Sequence, residues 1–228
     1  MAIALIGHYD SPFVRRVGVS LHILGIPFER KLLSVFSNAD ELRAYNPVGR
    51  VPALVLEDGA VLVDSAAILD HLDEVAGPER ALMPAHGVAR RDAMQRIVLA
   101  TGINDKAVAI VYERRNRGDA ADAGWIARCR GQQDAALAAL EACYAADPPS
   151  GTRLMQPEIT VATALGYLRL RLPEVLASGR HPALEALSAR AEAHPAFQAC
   201  LPTPQEIGGP IAEARAALLR LQGGPAPA

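Results

Sequence analysis

Three short stretches hold the side chains best suited to chemistry. They are Tyr9-Asp10-Ser11-Pro12-Phe13-Val14, Asn46-Pro47-Val48-Gly49-Arg50-Val51-Pro52 and Val63-Asp64-Ser65. The first follows an apolar run and opens a helical pattern. A helix start leaves N–H groups without partners, and these attract an anion. Ser11 adds a hydroxyl there. A thiolate held at this point gains a hydrogen bond and a favourable field, which lowers the thiol's pKa. The chain has no cysteine here, and Val14 stands where a Cys-x-x-Cys pair would end, so the thiol would come with a cosubstrate. Equally, a serine in this place can cap a helix and do nothing more.

In the second stretch, a proline before an apolar strand removes one ladder donor. It can also hold a cis bond, which presents the main chain of Val51 to an extended ligand. The bland alternative is a polar turn. In the third, Ser65 and the N–H groups after it suit a carboxylate, while Asp64 suits an ammonium group. Together they fit the charged end of an α-amino acid, or they form one more helix cap.

The elements that must position these residues divide the chain in two. Ala2–Ile6 reads as a strand, Ser11–Leu24 as a helix ended by Gly25, and Phe28–Leu33 as a second strand. Asn38–Tyr45 reads as a short helix. Val51–Leu56 and Val61–Val63 are strands joined through Asp58-Gly59, a hairpin signal that predicts antiparallel pairing. Ser65–Val75 reads as a helix. The expected domains are 1–77, a linker at 78–87 around Gly77-Pro78 and Met83-Pro84, and 88–228. The second domain reads as helices at Val88–Arg117, Trp125–Ala145, Pro157–Leu172, Pro182–Glu192 and Pro210–Leu221, with Trp125 as a packing anchor and Gly223–Ala228 frayed.

Composition narrows the function classes. Hydrophobic residues make up 50% of the 228, enough for a packed core. A formal net charge of −2 argues against a general nucleic-acid binder. Three dispersed cysteines and histidines without ligand spacing suggest neither a disulfide framework nor a metal site. No apolar stretch approaches the roughly 20 residues of a membrane span, so a cytoplasmic protein with no membrane or nucleic-acid partner is expected.

The combination of Ser11-Pro12-Phe13, Asn46-Pro47 through Val51-Pro52, Asp64-Ser65, His181-Pro182 and His194-Pro195 resembles the glutathione transferase superfamily, in its bacterial type with serine at the catalytic position. The resemblance implies an α/β thioredoxin-like N-terminal domain and an all-α C-terminal domain. It implies glutathione as cosubstrate, no metal, and a homodimer acting in detoxification. Ser11 would bind the thiolate, with Tyr9 as the rival hydroxyl. Val51 and Pro52 would present main chain to the cysteinyl part. Asp64 and Ser65 would hold the γ-glutamyl end, with Arg50 and Phe13 nearby. Tyr9, Asp105, Tyr112 and Arg115 would face a small apolar electrophile. Alternatives on the same scaffold are a glutathione-dependent isomerase or peroxidase, and a non-catalytic interaction module. Asp64 stands where many members have Glu. The helix near Met155-Gln156-Pro157-Glu158 lacks the Ser or Thr cap usual in the family, so either a looser entry or a start at Pro157 is expected.

Overall fold

A computed structural model describes residues 2–177 and 179–222. The chain forms two compact units, Met1–Ala85 with Ala193–Arg215, and His86–Glu192 with Ala216–Ala228. The expected fraying of Gly223–Ala228 lies outside the described residues.

The first unit is built on a four-stranded sheet in the order β2-β1-β3-β4. Its strands are β1 (Ala4–Ile6), β2 (Glu29–Lys31), β3 (Ala53–Val55) and β4 (Val61–Val63). β1 pairs parallel to β2 and antiparallel to β3, and β3 pairs antiparallel to β4 as the Asp58-Gly59 turn predicts. Leu5 and Ile6 are fully buried, which explains why this central strand reads as a continuous apolar run. Each such side chain contributes about 2 kcal/mol through burial. β2 lies at an edge and consists of Glu29, Arg30 and Lys31, charges that discourage pairing with another chain.

Helix α1 (Pro12–Leu24) connects β1 to β2. It starts at Ser11 with Pro12 in its first turn, and ends where Gly25 adopts φ 66°. Helix α2 (Ala39–Arg43) precedes β3, and α3 (Ser65–Ala76) follows β4. A core of Ile6, Leu33, Leu42 and Ala53 joins sheet and α2, with Tyr45, Val51 and Val63 packed against it.

The short helices α8 (Pro195–Ala199) and α9 (Pro204–Ile207) also belong to this first unit. A division drawn along the chain near residue 80 does not anticipate that return. Residues 193–207 carry the same helical, Ala- and Pro-marked pattern as the segment before them, and local pattern does not say which core they join.

The second unit contains α4 (Gly87–Arg117), α5 (Ala123–Ala146), α6 (Gln156–Arg171) and α7 (Pro182–Glu192). α6 is buried on nearly every side, as expected of a helix at the centre of a bundle. It begins at Gln156 rather than Pro157. The Met155 side chain does not cap the first turn, and Glu158 Oε2 reaches back to accept the Met155 N–H at 2.7 Å, which ties the helix entry from the other side. The Glu141 carboxylate caps α7 by accepting from Ala183 and Leu184 at 2.9 and 3.0 Å. Trp125 is not a packing anchor. It lies in the first turn of α5 with its residue 42% exposed, and Asp122 caps that turn through its amide. Helix α10 (Ile211–Leu221) buries Ala214, Ala217 and Leu221. Among the described residues no helix is long and apolar enough to cross a membrane.

Candidate functional site

The loop from β1 to α1 places Ser11 at the helix N-cap with an extended backbone, φ −76° and ψ 124°. Its Oγ accepts the Val14 N–H at 3.5 Å, well beyond the usual 2.9–3.0 Å of such a bond. The cap is therefore weak, and the half-buried hydroxyl keeps most of its hydrogen-bonding capacity. Pro12 has no N–H, so the donors of the first turn are those of Phe13 and Val14. Hydroxyl, N–H groups and the positive end of the helix dipole thus lie together at the start of α1, a combination suited to an anion.

Gly7 brings the second stretch to this point. It has φ 128°, and a Cβ there would stand 2.6 Å from Val14 Cγ2 and 3.0 Å from Val51 Cβ. Only glycine lets the first turn of α1 and Val51 close on the end of β1. The Val51–Pro52 bond is cis. Among the described residues no loop or turn hydrogen bond occupies the Val51 N–H or C=O. Asn46 shapes the approach. It is buried, its amide donates to Arg50 O at 2.8 Å, and its Oδ1 accepts from Val48 N at 3.0 Å. Arg50 itself is exposed, and Pro52 is buried.

The third stretch forms the start of α3. Asp64 is its N-cap, accepting the Ala66 N–H at 2.9 Å. It does so at φ 68° and ψ 135°, a conformation rarely adopted by residues other than glycine and costing of order 1–3 kcal/mol. Ser65 is buried and accepts a hydrogen bond from Arg16 Nη2 at 2.7 Å. A hydroxyl that accepts from a guanidinium still has its own proton to donate. The arrangement offers a carboxylate one hydroxyl donor, helix N–H groups and a neighbouring positive charge.

Arg16 was not legible as a site residue, although Arg15-Arg16 interrupts an otherwise apolar helix face, the one signal that could have found it. Arg15 and Arg16 are each only 2% exposed. Phe13 is half-buried, with the Arg16 guanidinium 6.0 Å from its ring centre.

Tyr9 is placed differently from Ser11. It is 1% exposed, with the Arg30 guanidinium 3.5 Å from the centre of its ring. A Cβ on Gly18 would stand 2.9 Å from its hydroxyl oxygen. Gly18 is seven residues past Ser11, about 10 Å along the helix axis, so the phenol points towards mid-helix. Burial, and then the Cys200 thiol, push its pKa well above the usual phenol range. Asp105, Tyr112 and Arg115 all lie on α4, spaced so that the three share one helix face. Among the described residues no group of His, Cys, Asp and Glu could hold a metal ion.

Residues 5–80 match the family model "Glutathione S-transferase, N-terminal domain", and residues 123–198 match "Glutathione S-transferase, C-terminal domain". The uncharacterized GST-like protein YibF of Escherichia coli (strain K12) is 31% identical over 169 residues, 73% of this chain and 82% of its own length. The chain belongs to the glutathione S-transferase family. A glutathione transferase family member from Pseudomonas fluorescens Pf-5, crystallised with bound glutathione, is 34% identical with a TM-score of 0.82, over 89% of this chain and 100% of the other. A maleylacetoacetate isomerase of Pseudomonas aeruginosa is 26% identical over 213 residues, 87% of this chain and 95% of its own. A thioredoxin-like domain followed by a helical one is the glutathione S-transferase fold, as the resemblance implied.

Proposed function

We propose that this glutathione S-transferase binds glutathione along the line from Ser65 through Val51 to Ser11 and activates its thiol for attack on a small apolar electrophile. The observation that carries the reading is the weakly engaged Ser11 hydroxyl at the start of α1, brought next to Val51 by Gly7. Ser65, Asp64 and the α3 N–H groups receive the γ-glutamyl carboxylate and ammonium. The Val51 N–H and C=O pair with the cysteinyl main chain as a short added strand. Arg50, exposed beside Val51, is read as the side chain nearest the glycine carboxylate. The Ser11 hydroxyl donates to the sulfur, and the Phe13 and Val14 N–H groups add their dipoles, so the thiolate is favoured over the thiol.

With an aryl chloride, the thiol proton leaves to solvent, the sulfur–carbon bond forms, and the carbon–chlorine bond breaks to release chloride. The protein's share is orientation and charge stabilisation, with no metal in the step. Asp105, Tyr112 and Arg115, from one face of α4, are read as the electrophile's neighbours. The acting form is read as a cytoplasmic homodimer, which sedimentation would test.

A second reaction on the same thiolate, cis–trans isomerisation of a maleyl substrate, is favoured by the near full-length similarity to a maleylacetoacetate isomerase. Calorimetric glutathione binding, followed by turnover of chlorinated nitrobenzene, hydroperoxide and maleyl substrates, separates conjugation, peroxidase, isomerase and non-catalytic readings. Ser11→Ala is expected to lower conjugation about 100-fold, the scale of one lost oxyanion-type donor. Tyr9→Phe is expected to change it only a few-fold. The reverse ranking would overturn the assignment of Ser11.

A further inference from the structure

In the loop that carries Ser11, the N–H groups of Gly7, Ser11 and Tyr9 donate hydrogen bonds of different origin. Gly7 N–H donates to Lys31 O at 3.0 Å, within the sheet, and Ser11 N–H donates to His8 O at 3.1 Å, within the turn. The third comes from far along the chain: Tyr9 N–H donates to Glu206 Oε1 at 2.9 Å. Glu206 belongs to α9, in the segment that folds with the first unit.

Its carboxylate side chain is only 2% exposed and is fully used. Oε2 accepts the Thr203 N–H at 2.8 Å, while Thr203 Oγ1 accepts the Glu206 N–H at 3.3 Å, a reciprocal cap. Oε1 also forms an ion pair with Arg30 of β2. That same Arg30 lies over the Tyr9 ring. One carboxylate thus holds the Tyr9 main chain directly and its ring through a cation. Gly18 backs the ring from α1. A second tie fastens the same segment: Arg15 Nε donates to Cys200 O at 3.0 Å and Nη2 donates to Phe197 O at 3.4 Å.

A buried carboxylate is costly unless paired and hydrogen-bonded, and any hydrophobic contact could dock a short helix more cheaply. Here the charge is placed on the one amide two residues before Ser11. We infer that Glu206 is a positioning residue for Ser11, fixing the Tyr9 main chain so that the Ser11 hydroxyl and the first α1 N–H groups stay aimed at the thiol. The inference rests on the reading of Ser11 given above. It makes the segment at 193–207 part of the glutathione half rather than a trailing part of the helical domain.

The test measures the pKa of glutathione's thiol on the enzyme, by ultraviolet thiolate absorbance, together with Tyr9 amide hydrogen exchange. Glu206→Ala is expected to raise the bound thiol pKa by about one unit, a tenfold loss of thiolate at a given pH. kcat falls about as much, while KM for glutathione moves less than about threefold. The Tyr9 amide exchanges faster. Glu206→Gln keeps an oxygen for the Tyr9 N–H and is expected to recover most of both. Should the alanine variant not fold, Glu206→Asp retains the charge, withdraws it by one methylene and gives the same shifts at smaller size. A folded alanine or aspartate variant with an unchanged bound thiol pKa overturns the inference, even if its melting temperature falls, because that is a purely structural anchor. Absence of glutathione binding by the unaltered protein would instead overturn the functional reading, and Tyr9 exchange would still decide whether Glu206 holds the loop.

Discussion

Helices α1 and α3 both begin where a strand ends, and both begin with a side chain that caps. They differ in how tightly that cap closes. At α1 the Ser11 oxygen stands 3.5 Å from the amide it caps. At α3 the Asp64 carboxylate closes to 2.9 Å and accepts an unfavourable φ of 68° to do so, while the adjacent Ser65 hydroxyl is held by Arg16 at 2.7 Å. Two similar helix starts are thus tuned oppositely. On the proposed reading, the loose one leaves a hydroxyl for the glutathione sulfur, whose charge changes on ionisation and attack, and the tight one meets ammonium and carboxylate groups whose charges do not change.

The sharpest way to break this contrast is to remove each hydroxyl in turn. Ser65→Ala is expected to raise KM for glutathione about tenfold with kcat nearly unchanged, as when a uniform binding contact is lost. Ser11→Ala is expected to show the opposite split. Steady-state kinetics at varied glutathione would check it, and equal effects on both parameters in both variants would erase the distinction between the two helix starts.

A smaller effect concerns stability. A well-formed side-chain cap contributes about 1 kcal/mol, and a poorly aligned one less. Asp64→Ala should therefore lower unfolding stability more than Ser11→Ala, whose cost is expected near 0.5 kcal/mol or below. Asp64→Gly should cost less than Asp64→Ala, since glycine loses the same cap but relieves the backbone. Urea unfolding of the three variants measures the order directly.

The smallest expected effect is on pH dependence, and it extends the comparison to carboxylates at two other helix starts. Burial raises the Glu206 pKa, but hydrogen bonds from Thr203 and Tyr9 and the Arg30 cation more than offset it, leaving the net shift downward. A carboxyl whose folded pKa is depressed contributes stability above its unfolded pKa, and that contribution is lost as pH falls through the folded value. Glu158 at the start of α6 shifts upward, because burial outweighs the Met155 amide and the more distant Arg190 and Arg96. Its ionisation therefore costs stability as pH rises through the carboxyl range. Glu206→Gln is expected to weaken the decline in stability on acidification, whereas Glu158→Gln is expected to steepen it. Denaturant midpoints from neutral pH down through the carboxyl range would show opposite changes in slope.

Much of this was legible along the chain because its determinants are local. Pro12 and Gly25 mark the ends of α1, Asp58-Gly59 marks the hairpin, and the apolar run at Leu5 and Ile6 marks a strand covered on both faces. Ser11, Val51, Asp64 and Ser65 stand at element junctions, where spacing alone draws attention. Arg16 and Glu206 do not stand out in that way. An arginine within a helix and a glutamate near the end of a proline-marked loop read as surface residues, because charge normally seeks water.

By itself, the amino-acid sequence determined the order of the strands and main helices, with bounds within a few residues, and its motifs carried the resemblance to the family. The elements follow from backbone preference and apolar periodicity over a few neighbouring residues. Only the tertiary structure decided that Arg16 lies under Ser65, that the Tyr9 phenol turns away from Ser11, and that residues 193–207 return to hold the Ser11 loop. Each of these depends on partners between 9 and 197 positions apart, and a buried charge is recognised by the partner it meets rather than by its neighbours in the chain.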